Sequence, residues 1–205
     1  MKIYDVSMLI DTDMQVYKNK DEKRPSFETT SDFTTGSSHE TRIHMDAHTG
    51  THIDAPLHML EQGETIESVH IEQLVGDCRV LDLTNVEDGI TRADLEAHAP
   101  QKGEFLLLKT KNSWDESFNF NFIYVAQDGA EYLADIGIAG VAIDGLGIER
   151  SQPGHETHKA LLAKNIVIIE GLRLKDVPTG TYFMVAAPLK MTGIDAAPAR
   201  VLLLD

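Results

Sequence analysis

Six side chains able to bind a metal ion occupy even-numbered positions within one stretch of fifteen residues. They are His44, Asp46, His48, His52, Asp54 and His58. Because alternate residues of an extended strand share a face, a strand here would present all six to one side. Gly50 and Pro56 disfavour a helix, and the β-branched Thr51 favours extended structure. Imidazole nitrogens and carboxylate oxygens suit zinc, manganese or iron, so the segment predicts a divalent metal site.

A second group of candidate ligands lies about a hundred residues further on. His155 and His158 begin a predicted helix, and Glu170 ends the apolar run 165–169. A charged carboxylate is costly to bury without a partner. Glu170 is therefore either exposed at the tip of a strand or a metal ligand, and the residues alone leave both possibilities open.

The elements that must position these side chains alternate strands with short helices, which is typical of an α/β fold. Strands are predicted at residues 1–10, 79–83, 105–109, 140–144, 165–169, 182–186 and 199–204, and helices at 91–98, 127–136 and 155–163. Thr91 and Asp94 have the spacing of a capping box, and Gly137 ends the second helix. Residues 11–42 are polar and rich in turn formers, and are predicted to be a long loop or arm. Both a binding loop and a solvated arm fit their composition.

Charge and composition exclude several functions. The net charge of −15 disfavours nucleic acid and anionic membranes as partners. The longest apolar run, 201–204, is too short to cross a bilayer, and the first residues lack the apolar core of a signal peptide. We therefore expect a cytoplasmic protein. The single cysteine, Cys78, lies at the start of a predicted buried strand and is expected to be a core thiol.

Part of the histidine-rich stretch resembles a known signature. The spacing His48-x-Gly50-Thr51-His52-x-Asp54-x-Pro56-x-His58 is similar to that of the cyclase family of metal-dependent hydrolases, which includes bacterial kynurenine formamidases and isatin hydrolases. The resemblance continues through residues 128–144, 158–172 and 187–200, and so covers most of the chain from residue 44 onward. It implies one domain over residues 1–205, with a central mixed β-sheet or barrel-like core flanked by short helices, as in a swivelling β/β/α fold.

The resemblance also implies a role for each matching position. Three histidines would bind metal, two carboxylates would bridge two metals, and one histidine would act as general base and acid. In that order these are His48, His52 and His158, then Asp54 and Glu170, then His58. His155 is a rival for the position of His158, but the twelve residues between His158 and Glu170 favour His158. The implied cofactors are two divalent metal ions, with zinc as the first choice and manganese as the second.

The implied activity is hydrolysis of an amide bond in a small-molecule substrate by a metal-bound hydroxide. Arylformamidase activity, which converts N-formylkynurenine to kynurenine and formate, is the leading expectation. The alternatives are an isatin hydrolase-like enzyme acting on a cyclic amide or lactone, and a non-catalytic metal-binding protein on the same scaffold. The retained His58 argues against the last, because a protein that only binds metal has no use for an unligated base. The resemblance further implies a homodimer or higher homo-oligomer.

The N-terminal region departs from the family pattern. Kynurenine formamidases carry a Trp-Pro-Gly-Asp-like segment whose tryptophan contacts substrate, but the matching residues 16–21 contain neither tryptophan nor glycine. Tyr17 and Trp114 are the candidate substrate-lining aromatics. His44 and Asp46 lie outside the motif and are expected either to support the ligands or to be solvated. The turn 144–149 is expected to lie beside the site.

Overall fold

The computed structural model describes residues 1–205 and contains twelve strands and three α-helices. The strands are β1 (Ile3–Asp5), β2 (Ser26–Ser31), β3 (Glu40–His44), β4 (His52–Asp54), β5 (Val75–Asp82), β6 (Gly89–Ile90), β7 (Phe105–Lys109), β8 (Tyr124–Val125), β9 (Gly140–Ile143), β10 (Val167–Glu170), β11 (Gly180–Pro188) and β12 (Ala196–Leu204). The helices are α1 (Arg92–Glu96), α2 (Gln127–Ile136) and α3 (Glu156–Leu162). None of the helices has the length and apolar character needed to cross a membrane.

Seven of the strands form a mixed barrel, which confirms the predicted α/β fold with a barrel-like core. Their order is β12-β11-β5-β7-β9-β10-β4, and β4 pairs back onto β12. The pairs β5–β7, β7–β9 and β9–β10 are parallel, and the other four are antiparallel. One edge of β12 pairs with β11. The other edge pairs with β4 through residues 196–198 and with β1 through residues 202–204.

The barrel strands divide their side chains between two apolar cores. Along β7, Phe105 and Leu107 join a cluster with side chains from all the other barrel strands. Leu106 and Leu108 join a second cluster with residues of all three helices. Because consecutive strand residues point to opposite faces, the first cluster fills the barrel and the second seals the helices onto its outside.

The helix signals in the sequence correspond to the observed boundaries. Thr91 caps α1, with the capping box to Asp94 formed in both directions, and α2 spans the predicted residues. Gly137 adopts φ 76°, a left-handed conformation that glycine tolerates at a helix C-terminus. The third helix begins one residue later than predicted because His155 itself has φ 55°. Cys78 is buried in β5, as expected.

Residues 26–44, most of which fall in the predicted loop or arm, form a hairpin of β2 and β3. The strands are antiparallel, and Phe27 lies opposite Ile43. Every residue of β3 is exposed. The polar stretch therefore contains an ordered projection in addition to turns.

The prediction of one extended strand through the histidine-rich stretch is wrong. β3 ends at His44, and β4 contains only His52–Asp54. Between them the chain turns through Gly50, whose φ is 64°, and after β4 it enters a short 3-10 turn at Pro56–His58. The side chains of the motif therefore meet because the chain folds around β4, not because they share one strand face.

Candidate metal centre

The proposed ligands come together at β4 from four separate segments of the chain. His52 and Asp54 are on β4 itself, and His52 lies directly opposite Glu170 of β10. His48 comes from the turn before β4, and His158 from α3. The structure thus brings together all five residues that the sequence marks as ligands.

One set of ligand atoms surrounds the first oxygen of Asp54. His48 Nδ1 lies 3.1 Å from Asp54 Oδ1, and His52 Nε2 lies 3.4 Å from the same oxygen. His52 Nε2 is also 3.4 Å from Glu170 Oε2.

A second set uses the remaining oxygens of the same carboxylates. His158 Nε2 lies 3.6 Å from Asp54 Oδ2 and 3.3 Å from Glu170 Oε1. Asp54 and Glu170 therefore each face one set with one oxygen and the other set with the second. This is the disposition that carboxylates bridging two positive centres would require.

Several of these atoms are buried without a hydrogen-bond partner. His52 Nε2, His158 Nε2 and both carboxylate oxygens of Asp54 have none, although their residues are almost fully buried. Unpaired buried polar atoms are rare because they are costly. Two ligands about 2.1 Å from one ion at tetrahedral or octahedral angles are about 3.0–3.4 Å apart, close to the spacings found here. The residues therefore fit a divalent metal centre.

The electrostatics of the cluster also favour a cation. Burial and the charge of Asp54 both oppose ionisation of Glu170, but contacts with His158 and His52 outweigh them and lower its pKa to about 2. Burial opposes protonation of His52, yet Asp54 and Glu170 raise its pKa to about 10. Two buried carboxylates thus stay ionised and require positive charge beside them. Divalent metal ions would supply that charge and leave the histidines neutral.

Backbone contacts fix the orientation of His52 and join β4 to β10. His52 Nδ1–H donates to the carbonyl oxygen of Gly50 at 2.9 Å, which turns Nε2 towards the carboxylates. The hydroxyl of Thr51 donates to the carbonyl oxygen of Gly171 at 2.6 Å. A hydrogen bond to the second ring nitrogen is the usual way that a ligand histidine is held.

His58 stands beside the cluster on the 3-10 turn that follows β4. Its ring centroid is 4.1 Å from that of His48 and 5.4 Å from that of His158. Burial lowers the pKa of His58, so the imidazole is neutral at neutral pH. One group of possible ligand atoms, within 4.8 Å of one another, joins it to His48 and Asp54, so the geometry alone admits His58 as a ligand too.

Two carboxylates of the site were not predicted from the sequence. Asp195 Oδ2 lies 3.0 Å from His48 Nε2 and 3.6 Å from His58 Nδ1. Glu149 Oε2 accepts a hydrogen bond from the backbone N–H of His158 at 3.2 Å and lies 2.9 Å from His158 Nδ1 without hydrogen-bond geometry. Its other oxygen contacts His155 Nδ1. His155 thus contacts Glu149 and not Asp54 or Glu170, although ligand atoms of Glu149, His155 and His158 also lie within 4.8 Å of one another. The only signal for Glu149 was its place in the turn expected beside the site, and Asp195 had none.

A cavity of about 330 Å³ opens over this cluster, and its lining separates the two candidate aromatics. Tyr17 lies in its wall, whereas Trp114 lines a separate open groove. Asp46 is at the cavity wall, where it pairs with Lys23 at 3.1 Å. His44 is exposed on the hairpin and pairs with Glu28, away from the ligands.

Comparison with known proteins gives the family of the chain. The profile of the Cyclase family matches residues 4–150, and the chain belongs to this family of metal-dependent hydrolases. A kynurenine formamidase from Salinibacter ruber is 34% identical over 166 residues, which cover 80% of this chain and 78% of that protein.

Two solved structures share the fold over almost the whole chain. One, described as a potential metal-dependent hydrolase with cyclase activity, is 58% identical with a TM-score of 0.93, covering 98% of this chain and 96% of the other. Isatin hydrolase A from Labrenzia aggregata is 23% identical with a TM-score of 0.85, covering 98% and 93%. At that identity the second comparison shows the fold alone.

Proposed function

We propose that the protein is an arylformamidase-like amidase that converts N-formylkynurenine to kynurenine and formate. The observation that carries this proposal is His58, a neutral histidine held beside a cluster of buried ligand atoms in the wall of a cavity. The similarity to a kynurenine formamidase over four fifths of the chain supports the choice of substrate.

We further propose that the cluster holds two divalent metal ions, zinc or, as the second choice, manganese. His48 and His52 would bind the first ion and His158 the second, with Asp54 and Glu170 between them. When bound there, the metals would supply Lewis acidity towards water and the substrate carbonyl.

The chain's own residues would then handle the protons. His58 is neutral and therefore able to accept a proton from the attacking water and return it to the leaving nitrogen. The carboxylate of Asp195, 3.6 Å from His58 Nδ1, would orient the ring and favour its protonated form after the first transfer. The aryl group would lie in the cavity, with Tyr17 as part of its wall.

Substitution of His58 tests this assignment. His58→Ala should retain the wild-type metal content but lose about 10²–10⁴ in kcat/KM for N-formylkynurenine, the usual contribution of general acid–base catalysis. Metal content is measured by elemental analysis and turnover by release of the aromatic amine. His44→Ala, on the exposed hairpin, is the matched control and should behave as the wild type.

Three outcomes would contradict the proposal. Loss of metal in His58→Ala would make His58 a ligand. Metal-loaded wild type that hydrolyses isatin but not N-formylkynurenine would make the enzyme a cyclic amide hydrolase, and turnover of neither would leave a metal-binding protein.

We also propose that the protein is a homodimer or a higher homo-oligomer. The paired side chains Phe27 and Ile43 of the hairpin are 45% and 58% exposed in the single chain. A contiguous apolar pair on a projecting hairpin is the kind of surface that a second copy would cover.

A further inference from the structure

Part of the cavity wall carries positive charge in an otherwise acidic protein. Within residues 18–23, the three lysines Lys18, Lys20 and Lys23 all line the cavity, whereas the acidic Asp21 and Glu22 do not. The chain as a whole has a net charge of −15. Because the basic residues of this segment face the cavity and the acidic ones do not, this part of the wall favours an anionic ligand.

Only one of these three lysines makes no ion pair. Lys20 Nζ is 3.7 Å from Glu22, and Lys23 Nζ is 3.1 Å from Asp46. Lys18 makes no ion pair within 4.0 Å. The remaining acidic residues of the wall, Glu149 and Glu170, are engaged with the histidines.

The position of Lys18 is maintained at a conformational cost. Lys18 and Asn19 have φ of 60° and 50°, in the left-handed region that residues with a Cβ rarely adopt. Backbone held in such a region is concentrated at ligand-binding sites. Lys18 Nζ lies 5.1 Å from the ring centroid of Tyr17, so the cation is placed next to the aromatic wall.

The same wall offers a surface for the body of an aromatic substrate. The Tyr17 ring packs edge-on against Phe118 and Phe122, with centroids 5.2 and 6.4 Å away. Met59 and Leu146 add apolar surface to the cavity. An aromatic ring placed here would share the cavity with the proposed metal ligands and with the ammonium group of Lys18.

We propose that Lys18 is a specificity-determining residue that binds a carboxylate of the substrate. The inference rests on the proposed function, because it places the amide at His58 and a second, anionic group of the same molecule at Lys18. The enzyme then prefers carboxylate-bearing amides to neutral ones of the same shape.

The test compares N-formylkynurenine with the analogue whose α-carboxylate is a carboxamide. In Lys18→Met, KM for the carboxylate should rise about fivefold with kcat unchanged, as expected for one partly exposed charge pair, and KM for the carboxamide should not change. Lys18→Arg should keep most of the preference for the carboxylate over the carboxamide. Added salt should weaken that preference in the wild type. Lys102→Met, at an exposed residue that does not line the cavity, is the matched control and should leave both KM values unchanged.

Binding of the products separates this inference from the proposed function. Calorimetric titration of metal-loaded protein with kynurenine and with kynurenine carboxamide needs no turnover. It should show the same fivefold loss of affinity, for kynurenine only, in Lys18→Met. Equal effects on both compounds, or an effect on neither, would overturn the role of Lys18. Absence of formamidase turnover with the binding preference intact would overturn only the proposed reaction.

Discussion

Glu149 contacts both histidines that the sequence offered for one ligand position, His155 and His158. It is only 7% exposed, and its carboxylate lies against His158 Nδ1 on one oxygen and His155 Nδ1 on the other. Burial raises the pKa of Glu149, but the histidines outweigh it and lower the pKa, so the carboxylate is ionised. An anion at Nδ1 would orient His158 with Nε2 towards the metal and make it a better ligand.

Glu149→Gln should therefore weaken metal binding by about 10–100-fold, the usual effect of removing a residue that orients a ligand. A competition titration with a chromophoric chelator measures the affinity directly. His155→Ala removes the other partner of Glu149 and is the control, with affinity close to the wild type. The reverse pattern, with metal lost in His155→Ala alone, would make His155 the ligand in place of His158.

At the scale of elements, the contact between Gly50 and Gly171 joins the two strands that carry ligands. Gly171 follows Glu170 directly and has φ 73°. A Cβ built on Gly171 would lie 2.5 Å from the carbonyl oxygen of Gly50. The close approach of the two backbones needs the absence of a side chain at this position.

Gly171→Ala is therefore expected to destabilise the protein much more than a change of backbone preference alone. Gly103 has a similar φ of 79°, but a Cβ added there would meet nothing within 4 Å, so Gly103→Ala isolates the conformational cost of about 1–2 kcal/mol. In Gly171→Ala the clash with Gly50 should add about 2 kcal/mol to that loss of unfolding free energy. Urea unfolding of both variants measures the difference in the free energy of unfolding. Equal losses in the two variants would show that the backbones at Gly50 and Gly171 can move apart to accommodate a methyl group.

The elements that the sequence predicted well are those with local signals. Thr91 with Asp94 and Gly137 mark helix ends through contacts within a few residues, and the apolar run of β7 has both faces buried. The failed prediction was the strand through residues 44–58. Its alternating pattern came from ligand chemistry, and Gly50 breaks the strand with a positive φ.

The site was predictable to the extent that one segment carries a specific spacing. That spacing led to His48, His52, Asp54 and His58, and the downstream group offered His155, His158 and Glu170. The resemblance to a family then favoured His158 and Glu170 as ligands. Asp195 lies 147 residues from its partner His48, and it reaches the site only because β12 pairs with β4. Such a contact follows from the closure of the barrel, which no local pattern reports.

At the scale of the whole molecule, the proposed homo-oligomer makes a prediction about the hairpin. Phe27→Ser combined with Ile43→Ser should convert the protein to a monomer, because the apolar contacts of these two side chains with the second copy would be lost. Light scattering measures the mass of the assembly. Phe120 is 61% exposed in a different loop, and Phe120→Ser is the control that should keep the assembly. A monomeric wild type would contradict the proposal.

The position of β4 between β10 and β12 has a consequence for the order in which the protein matures. During synthesis His48, His52 and Asp54 leave the ribosome early, but β4 has no neighbour until residues 167–170 are made, and its other edge waits for residues 196–198. The nascent chain would therefore carry three of the five proposed ligands without the other two for most of its translation. Free histidine and carboxylate groups favour copper over zinc or manganese, so we expect that selective loading with the proposed metals would require the barrel to close first.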